Sequence, residues 1–199
     1  MIDLHLHLDG SLNPKNMFWM AEMSGVKLSF TEENELKKQM MVEPDCKNLG
    51  DYLEKFDLPL QVLQTKECLE YAVYELLKEL QAQGLCYAEI RFAPQLHQQR
   101  NLTQKEVVES AVKGLEKAMK EFPIEAQLIL CCMRGETNHA ENLETVKTAK
   151  EFLEKGVCAV DLEMSRLIRQ KCLKMYFYWQ KNKMCRLLFM QERLQVQKV

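Results

Sequence analysis

Residues 85–162 alternate between apolar runs and amphipathic stretches, in the order "LCYAEIRF" (85–92), "TQKEVVESAVKGLEKAMKEF" (103–122), "EAQLILCCM" (125–133), "NLETVKTAKEFLEKG" (142–156) and "VCAVDL" (157–162). Short apolar runs bounded by turn residues are typical of buried strands, whereas apolar residues at a period of 3.6 predict helices. Strands that alternate with helices predict a parallel sheet with the helices packed outside it.

The opening stretch "IDLHLHLDGSL" (2–12) adds a further strand at the start of the chain. Alternate side chains of a strand share a face, so we expect a buried leucine face and place His5 and His7 together on the opposite face. The resulting four strands are about half of an eight-stranded barrel, which typically needs about 250 residues. We therefore predict an α/β fold, the N-terminal half of a (β/α)8 TIM barrel.

Residue preferences also predict where the helices begin. Thr65 and Thr103 precede long amphipathic stretches and are expected to be N-caps, as is Thr31 for a shorter helix. Pro14 is placed to start a helix that ends at Gly25.

Composition limits the class of protein. Of the 199 residues 47% are hydrophobic and 28% are charged, and the net charge is −2, which gives no reason to expect nucleic acid or a membrane as partner. The eight cysteines include no C-x-x-C pair, and the strand at the first residues leaves no room for a signal peptide. We expect reduced thiols, a cytoplasmic protein and no membrane span.

The H-x-H pair at His5 and His7 predicts a metal site. Two imidazoles on one face of a barrel strand suit zinc, and a catalytic zinc commonly uses three protein ligands. The alternative is a pair of hydrogen-bonded core histidines. Asp9 is expected either to reach the same cavity as His7 or to cap the helix that follows.

Other polar residues are expected to have structural roles. Arg91 and Glu89 share a face of the second strand, and we expect them to form an ion pair. His97 and His139 follow strands, and we expect both to be solvated loop side chains.

Several motifs resemble the adenosine deaminase family, which comprises zinc-dependent barrel enzymes of the amidohydrolase group. "DLHLHLDGSL" (3–12) is similar to the family's signature, and further similar stretches are "YAEIRFAPQLH" (87–97), "LTQKEVVESAVKGL" (102–115), "LILCCMRG" (128–135) and "GVCAVDL" (156–162). The resemblance covers about residues 1–162 and ends at Leu162. We divide the chain there into a partial barrel, 1–162, and an aberrant tail, 163–199.

The resemblance implies both site residues and a reaction. His5 and His7 would ligate zinc, His7 and Asp9 would contact the substrate, and Asp9 would hold a ribose hydroxyl. The substrate would be a purine nucleoside, adenosine or deoxyadenosine. Zinc would lower the pKa of a bound water that replaces the 6-amino group, and ammonia would leave.

The family also needs residues for which this sequence offers no candidates. These are a third zinc histidine, a general acid/base glutamate in a His-Ala-Gly-Glu segment, a further histidine and an Asp pair. No histidine follows His139, and Glu163 begins a segment that lacks the family's Gly-Asp-Glu. We therefore assign no catalytic acid or base, and we expect the chain alone to be inactive.

The tail 163–199 differs in charge from the body, because it carries nine basic and two acidic residues. We interpret the tail as the product of a reading-frame shift. When the last base of each codon is joined to the first two bases of the next codon, the codons of residues 175–180 can encode Val-Phe-Leu-Leu-Ala. In the same frame, the codons of residues 189–193 can encode His-Ala-Gly-Glu.

Three functions remain open from the sequence. The first is a zinc-dependent adenosine deaminase, and the second is a related deaminase of free adenine, against which a ribose contact at Asp9 would argue. The third is a non-enzymatic remnant whose basic tail binds a membrane or nucleic acid. The open edges of a half barrel also predict non-specific self-association.

Overall fold

The chain folds around a sheet of four parallel strands in the order β1-β2-β3-β4. The structure is a computed structural model that describes residues 1–42, 54–135 and 137–162. The strands are β1 (Ile2–His7), β2 (Tyr87–Phe92), β3 (Glu125–Cys132) and β4 (Val157–Leu162). This confirms the predicted alternation of strands and helices. The tail, with its proposed frame shift, lies outside the described residues.

Six α-helices belong to the described part of the chain. They are α1 (Pro14–Ser24), α2 (Glu33–Met40), α3 (Asp57–Val62), α4 (Lys66–Ala82), α5 (Gln104–Glu121) and α6 (His139–Phe152). Short 3-10 turns, Glu54–Phe56 and Pro94–His97, precede α3 and follow β2. Of the described helices, none is both long and apolar enough to cross a membrane.

The helix boundaries follow local hydrogen bonding. Thr65 accepts a hydrogen bond from the amide of Cys68, and Thr103 forms a reciprocal capping box with Glu106 at the start of α5, as expected. The prediction for Thr31 is wrong. Helix α2 begins two residues later, at Glu33, and no side-chain cap satisfies its first amides.

The hydrophobic core lies between the outer face of the sheet and the helices. Ile90 and Leu128 of the central strands are fully buried there, as are Val73 and Leu77 of α4. Helices α4 and α5 approach each other closely at Gly114, where an added Cβ would lie 2.2 Å from the carbonyl oxygen of Glu70. Only glycine fits such a contact without a backbone shift.

The expectation of a buried leucine face on β1 is wrong for the first half of that strand. Ile2 is 63% and Leu4 is 53% exposed, whereas Leu6 packs against the core and Leu8 is fully buried. Strand β1 is an edge of the described sheet, and no described element covers the outer face at its start. Burial therefore increases toward the carboxyl end of β1.

Candidate active site

Strand β1 places His5 and His7 side by side on the inner face of the sheet. Their ring centroids are 5.2 Å apart in an edge-to-face arrangement, and both side chains are half-buried. Alternation along the strand produces this juxtaposition, because residues two apart share a face. The Asp3 carboxylate accepts a hydrogen bond of 3.0 Å from the amide of His5, which fixes the start of the strand.

A buried guanidinium connects His7 to the other three strands. Arg91 of β2 pairs with Asp161 of β4, with Nε–Oδ2 and Nη2–Oδ1 distances of 2.7 and 3.2 Å. Its Nη2 also donates to Sγ of Cys131 in β3 at 2.7 Å. Its Nη1 lies 2.9 Å from Nε2 and 3.3 Å from Nδ1 of His7.

This arrangement corrects the expected partner of Arg91. The ion pair forms with Asp161, and Glu89 instead accepts a hydrogen bond of 3.0 Å from the hydroxyl of Tyr87. Strand register explains the difference. His7 is level with Arg91, and Cys131 is level with Asp161, so the four side chains meet at the carboxyl end of the sheet.

The environment of His7 favours a neutral imidazole. Its pKa falls to about 4, first because the ring is partly buried, and then because Arg91 and His5 lie close to it. Asp161 acts in the opposite direction. A neutral ring retains the lone pair that a metal ligand needs.

A cavity of about 180 Å³ opens beside this cluster, at the carboxyl ends of β1, β2 and β3. Its polar lining includes His7, Asp9 and Arg91, and its apolar lining includes Phe56, Leu60, Leu96 and Met133. Asp9 thus reaches the same cavity as His7, the first of the two positions expected for it. A second cavity of about 300 Å³ also has Asp9 and Phe56 in its wall.

Buried polar groups fix two walls of the cavity to each other. The Gln64 side-chain amide donates to the carbonyls of Leu60 and Leu96 at 2.7 and 2.9 Å. Its oxygen accepts from the amide of Gln99 at 2.9 Å. These bonds join the end of α3 to the loop after β2, so Leu60 and Leu96 hold their positions together.

His97 is not the solvated residue expected from the sequence. Its side chain is 0% exposed, and Nδ1 lies 2.9 Å from the carbonyl oxygen of Leu63, to which it donates. Sequence reasoning missed this role because the partner carbonyl lies 34 residues away. His139 is exposed, as expected, but it is the first residue of α6 rather than a loop residue.

The donor set fits part of a zinc site. His5 and His7 carry two imidazole rings, a kind of ligand that zinc accepts. No group of three His, Cys, Asp or Glu side chains is placed to share a metal ion within residues 1–42, 54–135 and 137–162. Within the described residues, the two imidazoles are thus fewer than the three protein ligands that a catalytic zinc commonly uses.

Comparison with known proteins identifies the family of the chain. The family model described as adenosine deaminase matches residues 1–181. An adenosine deaminase from Haemophilus ducreyi is 48% identical over 166 residues, which cover 81% of this chain and 48% of that protein. The chain thus spans about half the length of the curated relatives it matches.

Solved structures support the fold. An adenine deaminase from Arthrobacter aurescens matches with a TM-score of 0.70 and 23% identity, over 83% of this chain and 49% of that one. An amidohydrolase from Burkholderia ambifaria with bound zinc matches with a TM-score of 0.73 and 18% identity, over 94% of this chain and 50% of that one. The described sheet corresponds to half of a TIM barrel, and the chain belongs to the adenosine deaminase family of hydrolases.

Proposed function

We propose that this chain is the N-terminal part of a zinc-dependent enzyme that hydrolyses adenosine or deoxyadenosine at C6 and releases ammonia. The observation that carries the proposal is the placement of His5 and His7 on β1, directly before a cavity that His7 and Asp9 line, in a chain of this family. We also propose a cytoplasmic location, a reducing compartment in which the described cysteines, which are thiols in the structure, would stay reduced.

His5 and His7 would hold the metal in this proposal. Bound zinc supplies the activation of water for attack on the purine. The chain contributes an imidazole that stays neutral, because burial and the neighbouring Arg91 keep the pKa of His7 near 4. At neutral pH the ring is therefore unprotonated, and the donor that a metal would have to displace from Nε2 is Nη1 of Arg91, at 2.9 Å.

Asp9 would recognise the sugar. A carboxylate accepts hydrogen bonds from hydroxyl groups, and Asp9 lines the same cavity as His7. The apolar side chains of Phe56, Leu60 and Leu96 would pack on the purine. This arrangement favours a nucleoside over free adenine, because adenine has no hydroxyl for Asp9 to bind.

The 199-residue chain would not perform the reaction by itself. The described residues offer no third ligand. We assign the general acid/base to the coding sequence of residues 163–199, translated in a different reading frame. Proton transfer by a positioned side chain contributes about 10²–10⁴-fold to rate. Without it, and without a closed metal site, deamination should not exceed the background rate.

The test is to restore the frame. One base is added near codon 162, so that residues 189–193 become His-Ala-Gly-Glu and translation continues into the coding sequence that follows. We expect the product to convert adenosine to inosine, measured as loss of adenosine absorbance with zinc supplied. His5→Ala and His7→Ala in the restored protein should abolish that activity.

Three outcomes would contradict parts of the proposal. Activity of the unaltered 199-residue chain would show that it lacks no essential residue. Activity of the restored protein on adenine but not on adenosine would favour the adenine deaminase alternative. Inactivity on both substrates, with zinc bound, would reject deamination of either.

A further inference from the structure

The Arg91 guanidinium lies against His7, the proposed metal ligand, and pairs with the Asp161 carboxylate. Arg91 is 6% and Asp161 is 5% exposed, so water screens neither charge well. Nη1 of Arg91 lies within 2.9 Å of His7, while Nε of the same guanidinium contacts Asp161 at 2.7 Å. The charges of this pair therefore act on whatever His7 binds.

The two charges act in opposite directions on a bound cation. A guanidinium about 3 Å from the imidazole repels a divalent ion held by that ring, and the carboxylate attached to the guanidinium offsets the repulsion. The guanidinium also contacts the Cys131 side chain, whose Sγ lies 2.7 Å from Nη2. Arg91 and Asp161 thus make opposite contributions to the local field at His7.

We propose that the Arg91–Asp161 pair sets the zinc affinity of His7, with Arg91 weakening and Asp161 strengthening the binding of the ion. The inference rests on the proposed function, because it requires His7 to be a metal ligand. Arg91 and Asp161 are positioning residues here, since neither is assigned contact with the ion or the substrate.

Opposite effects of the two partners distinguish this role from a structural one. If the pair only held the four strands together, removing either partner would loosen His7 and weaken zinc binding. If the pair sets the field, Arg91→Met should bind zinc about tenfold more tightly and Asp161→Asn about tenfold more weakly, each equal to about 1.4 kcal/mol.

The experiment is calorimetric titration of the 199-residue chain with Zn²⁺ at neutral pH. Arg91→Lys keeps the positive charge and should stay near the wild-type affinity, unlike Arg91→Met. Lys105→Met and Glu151→Gln make the same charge changes in an exposed ion pair that joins α5 to α6, and should leave the affinity unchanged. Melting curves identify variants that no longer fold cooperatively.

A second pair of variants keeps the ion pair intact. Cys131→Asp adds a carboxylate beside Nη2 of Arg91, and Cys131→Asn adds a neutral group of the same shape. We expect zinc to bind about tenfold more tightly to the Asp than to the Asn variant. This comparison decides the proposal if Arg91→Met or Asp161→Asn fails to fold.

The results separate this proposal from the one it rests on. The role of the pair would be overturned, and the metal assignment would stand, if Arg91→Met and Asp161→Asn changed the zinc affinity in the same direction. Equal zinc affinities of the two Cys131 variants would have the same meaning. The metal assignment, and this role with it, would be overturned if the wild-type chain and the His5→Ala, His7→Ala double variant bound zinc equally well.

Discussion

At the scale of single residues, the burial of His97 has a measurable consequence. The ring packs edge-on against Phe92, with centroids 5.7 Å apart, and Nε2 has no hydrogen-bond partner among the described residues. Protonation would place a charge in this buried position. Burial therefore lowers the pKa of His97 to about 4, although the hydrogen bond to Leu63 opposes the shift.

This shift predicts that acid weakens the fold. The pKa of His97 is about 6.5 in the unfolded chain and about 4 in the folded one, so the unfolded state binds more protons between these values. The stabilising contribution is complete above pH 6.5 and is lost as the pH falls to 4, by up to about 3 kcal/mol. Urea unfolding midpoints measured between pH 4 and 8 should fall accordingly.

The matched variant is His97→Gln, which keeps a donor for the Leu63 carbonyl but does not titrate. Its unfolding free energy should depend less steeply on pH over the same interval. A smaller slope remains, because the pKa of His7 is also near 4 in the folded chain. An unchanged slope in His97→Gln would contradict the assignment of this effect to His97.

At the scale of elements, close packing of α4 on α5 depends on a missing side chain. A Cβ at position 114 would meet the Glu70 carbonyl oxygen at 2.2 Å and the Val73 Cβ at 3.1 Å. Backbone atoms cannot rotate away as a side chain can. The two helices would have to separate, and the separation would loosen the core that both share with the sheet.

We therefore expect Gly114→Ala to destabilise the fold by about 1–3 kcal/mol, the range typical of overpacking. This sign is opposite to that of an isolated helix, in which alanine is better than glycine by about 1 kcal/mol. Lys113→Ala, at the neighbouring exposed position, should change stability by less than about 0.5 kcal/mol. Chemical denaturation measures both variants, and a stabilised Gly114→Ala would contradict the close contact.

At the scale of the whole molecule, the described sheet has two open edges, at β1 and β4. Edge strands present unpaired amide and carbonyl groups to other chains. The edge at β1 also carries Ile2 and Leu4, which are 63% and 53% exposed. A barrel removes such edges by closing the sheet on itself, and four strands cannot close.

We expect the 199-residue chain to self-associate in a concentration-dependent way on size-exclusion chromatography. Ile2→Lys with Leu4→Lys should reduce this association, because charges on an edge strand oppose pairing. Met41→Lys replaces an apolar side chain of similar exposure, 54%, outside the sheet and should have little effect. A monodisperse monomer at every concentration would contradict the prediction.

Local patterns determined much of the fold and part of the site. Alternation along β1 predicted that His5 and His7 share a face, and capping preferences predicted the start of α5 at Thr103. The same preferences failed at Thr31, where no side-chain cap forms. The metal and substrate roles of His5, His7 and Asp9 remain predictions, because they depend on groups that the described residues do not include.

The sequence by itself determined the order of strands and helices and the histidine face of β1, because each depends on residues within a few positions of one another. Only the tertiary structure decided that Arg91 pairs with Asp161 rather than Glu89, that His97 is buried, and that Ile2 is exposed. These outcomes depend on strand register and on which elements cover one another. Residues 70 positions apart meet in the Arg91–Asp161 pair, and no local pattern encodes that meeting.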